Sequence, residues 1–388
     1  MSTARLRVLQ LGKFYPPHMG GIETHLQALC EELQRSADVR VIVASDGRRT
    51  TEEWVDGIRV TRAGTAFHIT TVPVCPGMAG EIRRTPADLV HIHWPNPAAL
   101  LAYLVSGHRG RLIVTYHSDI VQQRAWRRLF QPILSRALNR SAAIIATSAA
   151  YIETSPVLSD YRHRCHVIPY GIDVARFDCR DSDQVDRIRR RYGPRIVVSV
   201  GRLVYYKGVE YLIDAMTGVS GRLLVIGDGP LRPRLERQAI VRNIKDRVVF
   251  LGEIQNRDIV PYYHAADVFV LPSVARSEAF GIVQLEAMAC GKPVVNTRLD
   301  SGVPFVSPHG VTGLTVPPAK PGALADAINL LLCDAERRAE FGKAGRRRVR
   351  QEFSLELMAR RTRDVYDGVG TVRRESGGNE RVRQHACE

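Results

Sequence analysis

Residues 195–212 read RIVVSVGRLVYYKGVEYL. A β-branched run, Ile196–Val200, stops at Gly201-Arg202, and after a short loop Lys207-Gly208 lead into helical spacing. A short apolar run closed by glycine and followed by a helix is the signature of a buried parallel strand and its crossover. The same unit recurs in both directions along the chain. Upstream stand RLRVLQL (5–11), VRVIVA (39–44), DLVHIH (88–93), RLIVTYH (111–117) and AAIIATS (142–148), with helical spacing at 21–35 and 97–106. Downstream stand RLLVIG (222–227), RVVFLG (247–252), DVFVLP (267–272) and KPVVN (292–296). Between the two series lies IPYGIDVARFDCRDSDQ (168–184), rich in turn formers. Strand–helix alternation implies a parallel sheet covered on both faces. The expectation is an α/β protein of two doubly wound units joined by a hinge near 170–184. Ligands of such sheets bind at the carboxyl ends of the strands, and the cleft between two units is the expected site.

The 388 residues are too many for one ordinary core and enough for two. Hydrophobic residues make up 45% and charged residues 24%, which excludes a disordered chain. No apolar stretch approaches the ~20 residues of a membrane span, and the N-terminus reads as no signal peptide. Seven cysteines (30, 75, 165, 179, 290, 333 and 387) contain no CxxC pair, so free thiols in a reducing cytoplasm are expected. The net charge of +15 attracts polyanions. It is uneven: five arginines (124, 127, 128, 136, 140) and no acid occupy 120–152, and a second cluster, KAGRRRVR, spans 343–350. No zinc-finger spacing or RNP-like motif accompanies it, so no nucleic-acid partner is expected.

Three pieces can handle phosphate. Gly20-Gly21 open a helix after a loop, and helix starts present free amides to anions. GDGP (227–230) follows a strand, although Arg232 stands where a third dinucleotide-type glycine would be. Arg202 and Lys207 follow another strand and can neutralise a diphosphate. Each alone is better explained as an ordinary junction or as solvated loop charges. The segment RSEAFGIVQLEAMACGKPVV (276–295) adds two carboxylates, Glu278 and Glu286, on either side of Gly281. With Gly281 at a helix start, Glu278 lies in the loop, the amides of Gly281, Ile282 and Val283 point to an anion, and Glu286 sits about 1.5 turns along. That layout suits a nucleotide sugar.

These residues in this order resemble the family 4 retaining glycosyltransferases. The motifs are GRLVYYKG (201–208), IGDGP (226–230), FLGEI (250–254), IPYGID (168–173) and the E-x7-E pair, with YHSDI (116–120) resembling the loop that carries a histidine near the sugar. The resemblance covers nearly the whole chain, from Arg5 to about Asp367. It implies the GT-B fold: two facing Rossmann-like domains, with a C-terminal helix crossing back to the first. The implied boundaries are 1–175 for the acceptor domain, 176–353 for the donor domain, and 354–388 returning to the first. It implies that Glu278 bonds donor-sugar hydroxyls, Gly281, Ile282 and Val283 hold the diphosphate, and Glu286 the ribose. Arg202 and Lys207 would hold the leaving diphosphate. Gly20, Gly21 and Gly227 would line the donor phosphates, and His117 would contact the sugar and stabilise developing charge. The reaction implied is hexose transfer with retention and without a metal or other cofactor, from a nucleotide sugar to a glycan or lipid-linked glycan in cell-surface polysaccharide assembly. GDP-mannose is the first donor, because the stretch from YHSDI to IPYGID resembles O-antigen and exopolysaccharide mannosyltransferases. A UDP-hexose enzyme with a soluble acceptor is the alternative, and a catalytically silent scaffold a further one.

Several features have competing readings. Asp181-Ser182-Asp183 resembles a DxD metal motif, but a helix cap before RIRRRY explains it better. His91 and His93 share a strand face with no third ligand evident, so His91 is expected to be structural. The stretch 122–140 places Trp126, Leu129, Phe130, Ile133, Leu134, Ala137 and Leu138 at helical spacing, with Pro132 marking a kink or start. Such a basic amphipathic helix is either core-packed or membrane-seated. With the net charge of +15 the expectation is peripheral contact with the inner face of the cytoplasmic membrane, through Arg124, Trp126, Arg127 and Arg128.

Overall fold

The structure is a computed structural model that describes residues 5–18, 20–69, 72–119, 124–178, 181–255 and 258–378, with the side chains of 124–129 and 371–378 outside that description. The chain divides into two compact units. The first comprises residues up to Thr147, Ser155–Tyr170 and everything from Leu355; the second comprises Ser148–Thr154 and Gly171–Ser354.

The first unit carries an eight-stranded sheet. Its strands are β1 (Arg7–Leu11), β2 (Asp38–Ala44), β3 (Thr51–Val55), β4 (Ile58–Ala63), β7 (Leu89–Trp94), β8 (Arg111–Tyr116), β9 (Ala143–Ala146) and β10 (Cys165–Val167), in the order β10-β9-β8-β7-β1-β2-β4-β3. All neighbours are parallel except β3 on β4. A separate hairpin pairs β5 (Phe67–Ile69) with β6 (Val72–Val74). On the helix Gly21–Leu33, Leu26, Leu29 and Leu33 recur at helical spacing and bury against Val8, Val41 and Val60. Each such side chain contributes about 1.5–3 kcal/mol. The last helix, Leu355–Gly378, packs into the same core through Met358, Ala359 and Tyr366.

The second unit carries a six-stranded, all-parallel sheet. Its strands are β11 (Ile196–Val200), β12 (Arg222–Ile226), β13 (Val248–Gly252), β14 (Val268–Leu271), β15 (Val294–Thr297) and β16 (Gly313–Val316), in the order β13-β12-β11-β14-β15-β16. Its core sets Leu212, Ile213, Leu324 and Ile328 from covering helices against Val197 and Val225 of the sheet. Strand order reverses between β11 and β14, and in the first unit between β1 and β7. These are the switch points at which open α/β sheets bind ligands.

The doubly wound architecture agrees with the sequence reading; several details differ. The main crossing lies at Tyr170/Gly171, a few residues before the expected 175/176 junction, and the chain makes an earlier excursion into the second unit over Ser148–Thr154, which holds the helix Ala149–Thr154. β3, β4, β10 and β16 were not foreseen. Asp56 and Gly57, both at positive φ, join β3 to β4 in the two-residue turn that an Asp-Gly pair favours. Asp181 caps the helix Ser182–Tyr192 by accepting the amide of Gln184 at 2.9 Å, as the capping explanation required. The helix Arg124–Arg140 begins well before Pro132 and contains it. Leu134, Ala137 and Leu138 are buried, so the second half of its apolar stripe is core. The side chains of Arg124, Trp126, Arg127 and Arg128 lie outside the described residues. Cys30, Cys75, Cys165, Cys290 and Cys333 are free thiols; Cys179 and Cys387 also lie outside the described residues.

Candidate active site

In the second unit the candidate residues gather at the carboxyl edge of the sheet, around its switch point. β11 runs into Gly201-Arg202, β12 into Gly227, and β14 into the loop that carries Glu278. Gly227, at φ +123°, passes so close to Gly201 that a Cβ would stand 2.3 Å from the Gly201 carbonyl oxygen. Its amide donates to the Gly252 carbonyl at 2.7 Å, so Gly227 supplies room rather than a free donor. Arg202 is exposed at the loop tip.

Lys207 and Glu278 form a largely buried ion pair, Nζ to Oε2 at 2.6 Å. Ser273 donates its hydroxyl to the same carboxylate oxygen at 3.0 Å. Burial pushes the Lys207 ammonium toward neutrality, but the Glu278 charge, Tyr206 and the hydrogen bond to Glu278 together outweigh it and hold the pKa above the ordinary lysine value. Gly281, at φ +76°, starts the helix Ile282–Ala289, and a Cβ there would lie 2.6 Å from Leu271. The first amides of that helix have no carbonyl within it to bond. Farther along, Glu286 accepts the Tyr263 hydroxyl at 2.6 Å. Burial raises the Glu286 pKa, offset in part by Tyr263 and by the charge of Arg176. Tyr263, wholly buried on the helix Val260–Ala265, and Ser273 were missed by sequence reading. Neither has a local motif, because each contact is set by folding.

In the first unit Gly20 and Gly21 open the helix Gly21–Leu33, as expected. His117 is buried and belongs to a polar chain across the sheet. Gln10 donates to the Tyr366 hydroxyl at 3.0 Å, and its carbonyl oxygen meets His93 Nε2 at 3.0 Å. A carbonyl only accepts, so His93 carries its proton on Nε2. His93 Nδ1 then accepts from His117 Nε2 at 2.9 Å, and His117 Nδ1 accepts the Tyr170 hydroxyl. Burial, helped by neighbouring imidazoles, drives the pKa of His91 down to about 3 and those of His93 and His117 well below the usual range. The chain is therefore neutral. Both ring nitrogens of His117 are engaged, so an imidazole contact with a sugar requires one of these bonds to be given up.

His91 bonds Tyr366 and Thr115, both at 2.6 Å, which makes it the structural histidine expected. The absence of a third ligand beside His93 is corrected: His25, from the helix Gly21–Leu33, joins His93 and His117 with ligand atoms within 4.8 Å of one another. Its partners are far apart in sequence, which hid the cluster. Neither nitrogen of His25 has a hydrogen-bond partner among the described residues. A cation here would have to break the His93–His117 bond and would meet no carboxylate in the cluster.

Known proteins resemble this chain over nearly its whole length. Residues 19–176 match the family described as Glycosyltransferase Family 4, and residues 181–348 match Glycosyl transferases group 1. A D-rhamnosyltransferase, WbpZ, of Pseudomonas aeruginosa is 34% identical over 360 residues, covering 90% of this chain and 92% of that one. The O-antigen chain mannosyltransferase C of Escherichia coli is 30% identical over 375 residues, covering 96% and 100%. Among solved structures, sucrose-phosphate synthase from Thermosynechococcus elongatus superposes with a TM-score of 0.80 at 25% identity, covering 95% and 100%. The chain belongs to glycosyltransferase family 4 and has the GT-B fold.

Proposed function

We propose that this family 4 glycosyltransferase is a retaining hexosyltransferase of cell-surface polysaccharide assembly, using GDP-mannose as first donor and a lipid-linked glycan as acceptor. The observation that carries the reading is the Lys207–Glu278 pair beside the Gly281 helix start, with Glu286 on the same helix. In this reading the pair separates to serve the donor: Lys207 turns to the diphosphate and Glu278 to the sugar hydroxyls. Arg202 and the amides of Ile282 and Val283 complete the phosphate cradle, and Glu286 takes the ribose. Gly20 and Gly21 are assigned to the donor phosphates by family resemblance.

Breaking the anomeric C–O bond puts positive charge on the sugar and negative charge on the departing diphosphate. Fixed cations and helix-start amides directed at that oxygen stabilise the transition state more than the ground state. In this reading Glu278, once released from Lys207, is given to the sugar hydroxyls, and no enzymic nucleophile is assigned. We therefore assign front-face attack: the acceptor oxygen bonds C1 on the face the phosphate leaves, and its proton passes to the leaving oxygen. Lys207 and Arg202 supply the neutralising charge, so the reading assigns no metal to the step.

That the E. coli relative is a mannosyltransferase supports mannose as the sugar. No described helix is long and apolar enough to cross a membrane, and the reading places the enzyme on the cytoplasmic face through the start of the helix Arg124–Arg140. Glu278→Ala tests the central assignment. The variant should fold, judged by circular dichroism, and lose transfer; full activity would overturn the role of Glu278.

A further inference from the structure

The arginine-rich cluster at 343–350 has no part in the chemistry above, yet it forms a cavity. On the helix Ala335–Glu352, Lys343, Arg346, Arg347 and Arg350 stand at i, i+3, i+4 and i+7 and line a cavity of about 490 Å³ with no carboxylate in its wall. A second cavity of about 490 Å³ shares Gly291 and Arg346 with the first and adds Arg189 and Lys292, with Asp178 as its carboxylate. The helix is pinned there by backbone contact: a Cβ on Gly342 would stand 2.1 Å from the Gly291 carbonyl oxygen. Arg346 is held by the Ala289 carbonyl at 3.2 Å.

The charge on this face is unbalanced, while two arginines elsewhere on the helix are paired. Arg337 meets Asp334 and Arg348 meets Glu352. On the cavity face only Arg350 has a carboxylate, Asp178 at 2.7 Å; Lys343, Arg346 and Arg347 have none among the described residues. Like charges one turn apart destabilise a helix, so the stripe weakens the helix that carries it unless an anion neutralises it. The place is also separate from the donor site. Gly291 follows the carboxyl end of the helix Ile282–Ala289 and precedes β15, whereas Gly281 opens the other end of that helix. The helix is about 12 Å long, and the cavity lies at the amino edge of the sheet.

We propose that this cavity is a second anion site, built for a ligand with clustered phosphates: a soluble oligophosphate or the headgroups of an acidic membrane. Arg346 and Arg347 offer planar forks that match phosphate oxygens, Arg350 shares its own with Asp178, and Lys343 adds a point charge.

Isothermal titration of sodium tripolyphosphate into the full chain saturated with GDP or UDP tests the site. The expected result is saturable binding that weakens by about tenfold or more in Lys343→Ala/Arg347→Ala, with nucleotide affinity unchanged. Both positions are exposed on a helix, so the variant should fold; circular dichroism checks this. Co-sedimentation with phosphatidylglycerol vesicles, compared with and without Lys343→Ala/Arg347→Ala in a Trp126→Glu/Arg127→Glu background that removes the other proposed membrane contact, identifies the source. Retention lost in the variant assigns the site to headgroups, and retention kept with tripolyphosphate binding lost assigns it to a soluble ligand. If the variant matches the wild type in both assays, or loses nucleotide affinity as well, the proposal falls. Should neither nucleotide bind, the donor assignment fails and the same titration, run without nucleotide, still decides this one.

Discussion

Two carboxylates eight positions apart acquire different environments. Glu278 is neutralised by Lys207 and bonded by Ser273, whereas Glu286 has a neutral phenol, Tyr263, as its hydrogen-bond partner and carries a raised pKa through burial. A carboxyl whose folded pKa lies above its unfolded value favours folding when protonated, and that contribution is lost as pH rises through the folded value. Ionising buried Glu286 therefore weakens the fold. Glu286→Gln should leave the melting temperature unchanged or raised while weakening nucleotide binding about tenfold. A lowered melting temperature with intact nucleotide affinity would show the carboxylate to be structural. Both glutamates were legible from their spacing around Gly281. Tyr263, Ser273, Gln10 and His25 were not, since their partners lie far along the chain or across a loop.

The strands most legible as elements were those buried on both faces, where β-branched runs are nearly continuous. β3, TEEWV, has four exposed residues, including Trp54 at 73%, so it has no apolar pattern to read. Its Asp56-Gly57 turn was the available signal, and it was overlooked. The helix Arg124–Arg140 shows the opposite limit. Its apolar stripe is regular, but Leu134, Ala137 and Leu138 serve the core, which leaves the N-terminal half for the proposed membrane contact. Replacing Trp126 and Arg127 together with glutamate should remove the contact of this helix with anionic liposomes, read as weakened co-sedimentation with the fold preserved. Unchanged co-sedimentation would confine this helix to packing.

Across the whole molecule, the sequence pattern was enough for two doubly wound units because each strand–helix pair repeats the same local rule. The crossings between units were less legible. Ile172 donates to the Phe353 carbonyl at 2.9 Å, so the segments entering and leaving the second unit run side by side. From there the last helix joins the first unit's core, where Tyr366 bonds Gln10 and His91. This path explains why residues near the C-terminus shape a network that includes His117. The central claim concerns the second unit: that its switch point binds a nucleotide sugar. Thermal denaturation of the full chain with GDP- and UDP-sugars tests it most directly. At about 100 times the dissociation constant a ligand adds about 2.7 kcal/mol, which for a unit of this size raises the melting temperature by about 5–10 °C. The account predicts that rise with GDP-mannose; no shift with any nucleotide sugar would contradict it.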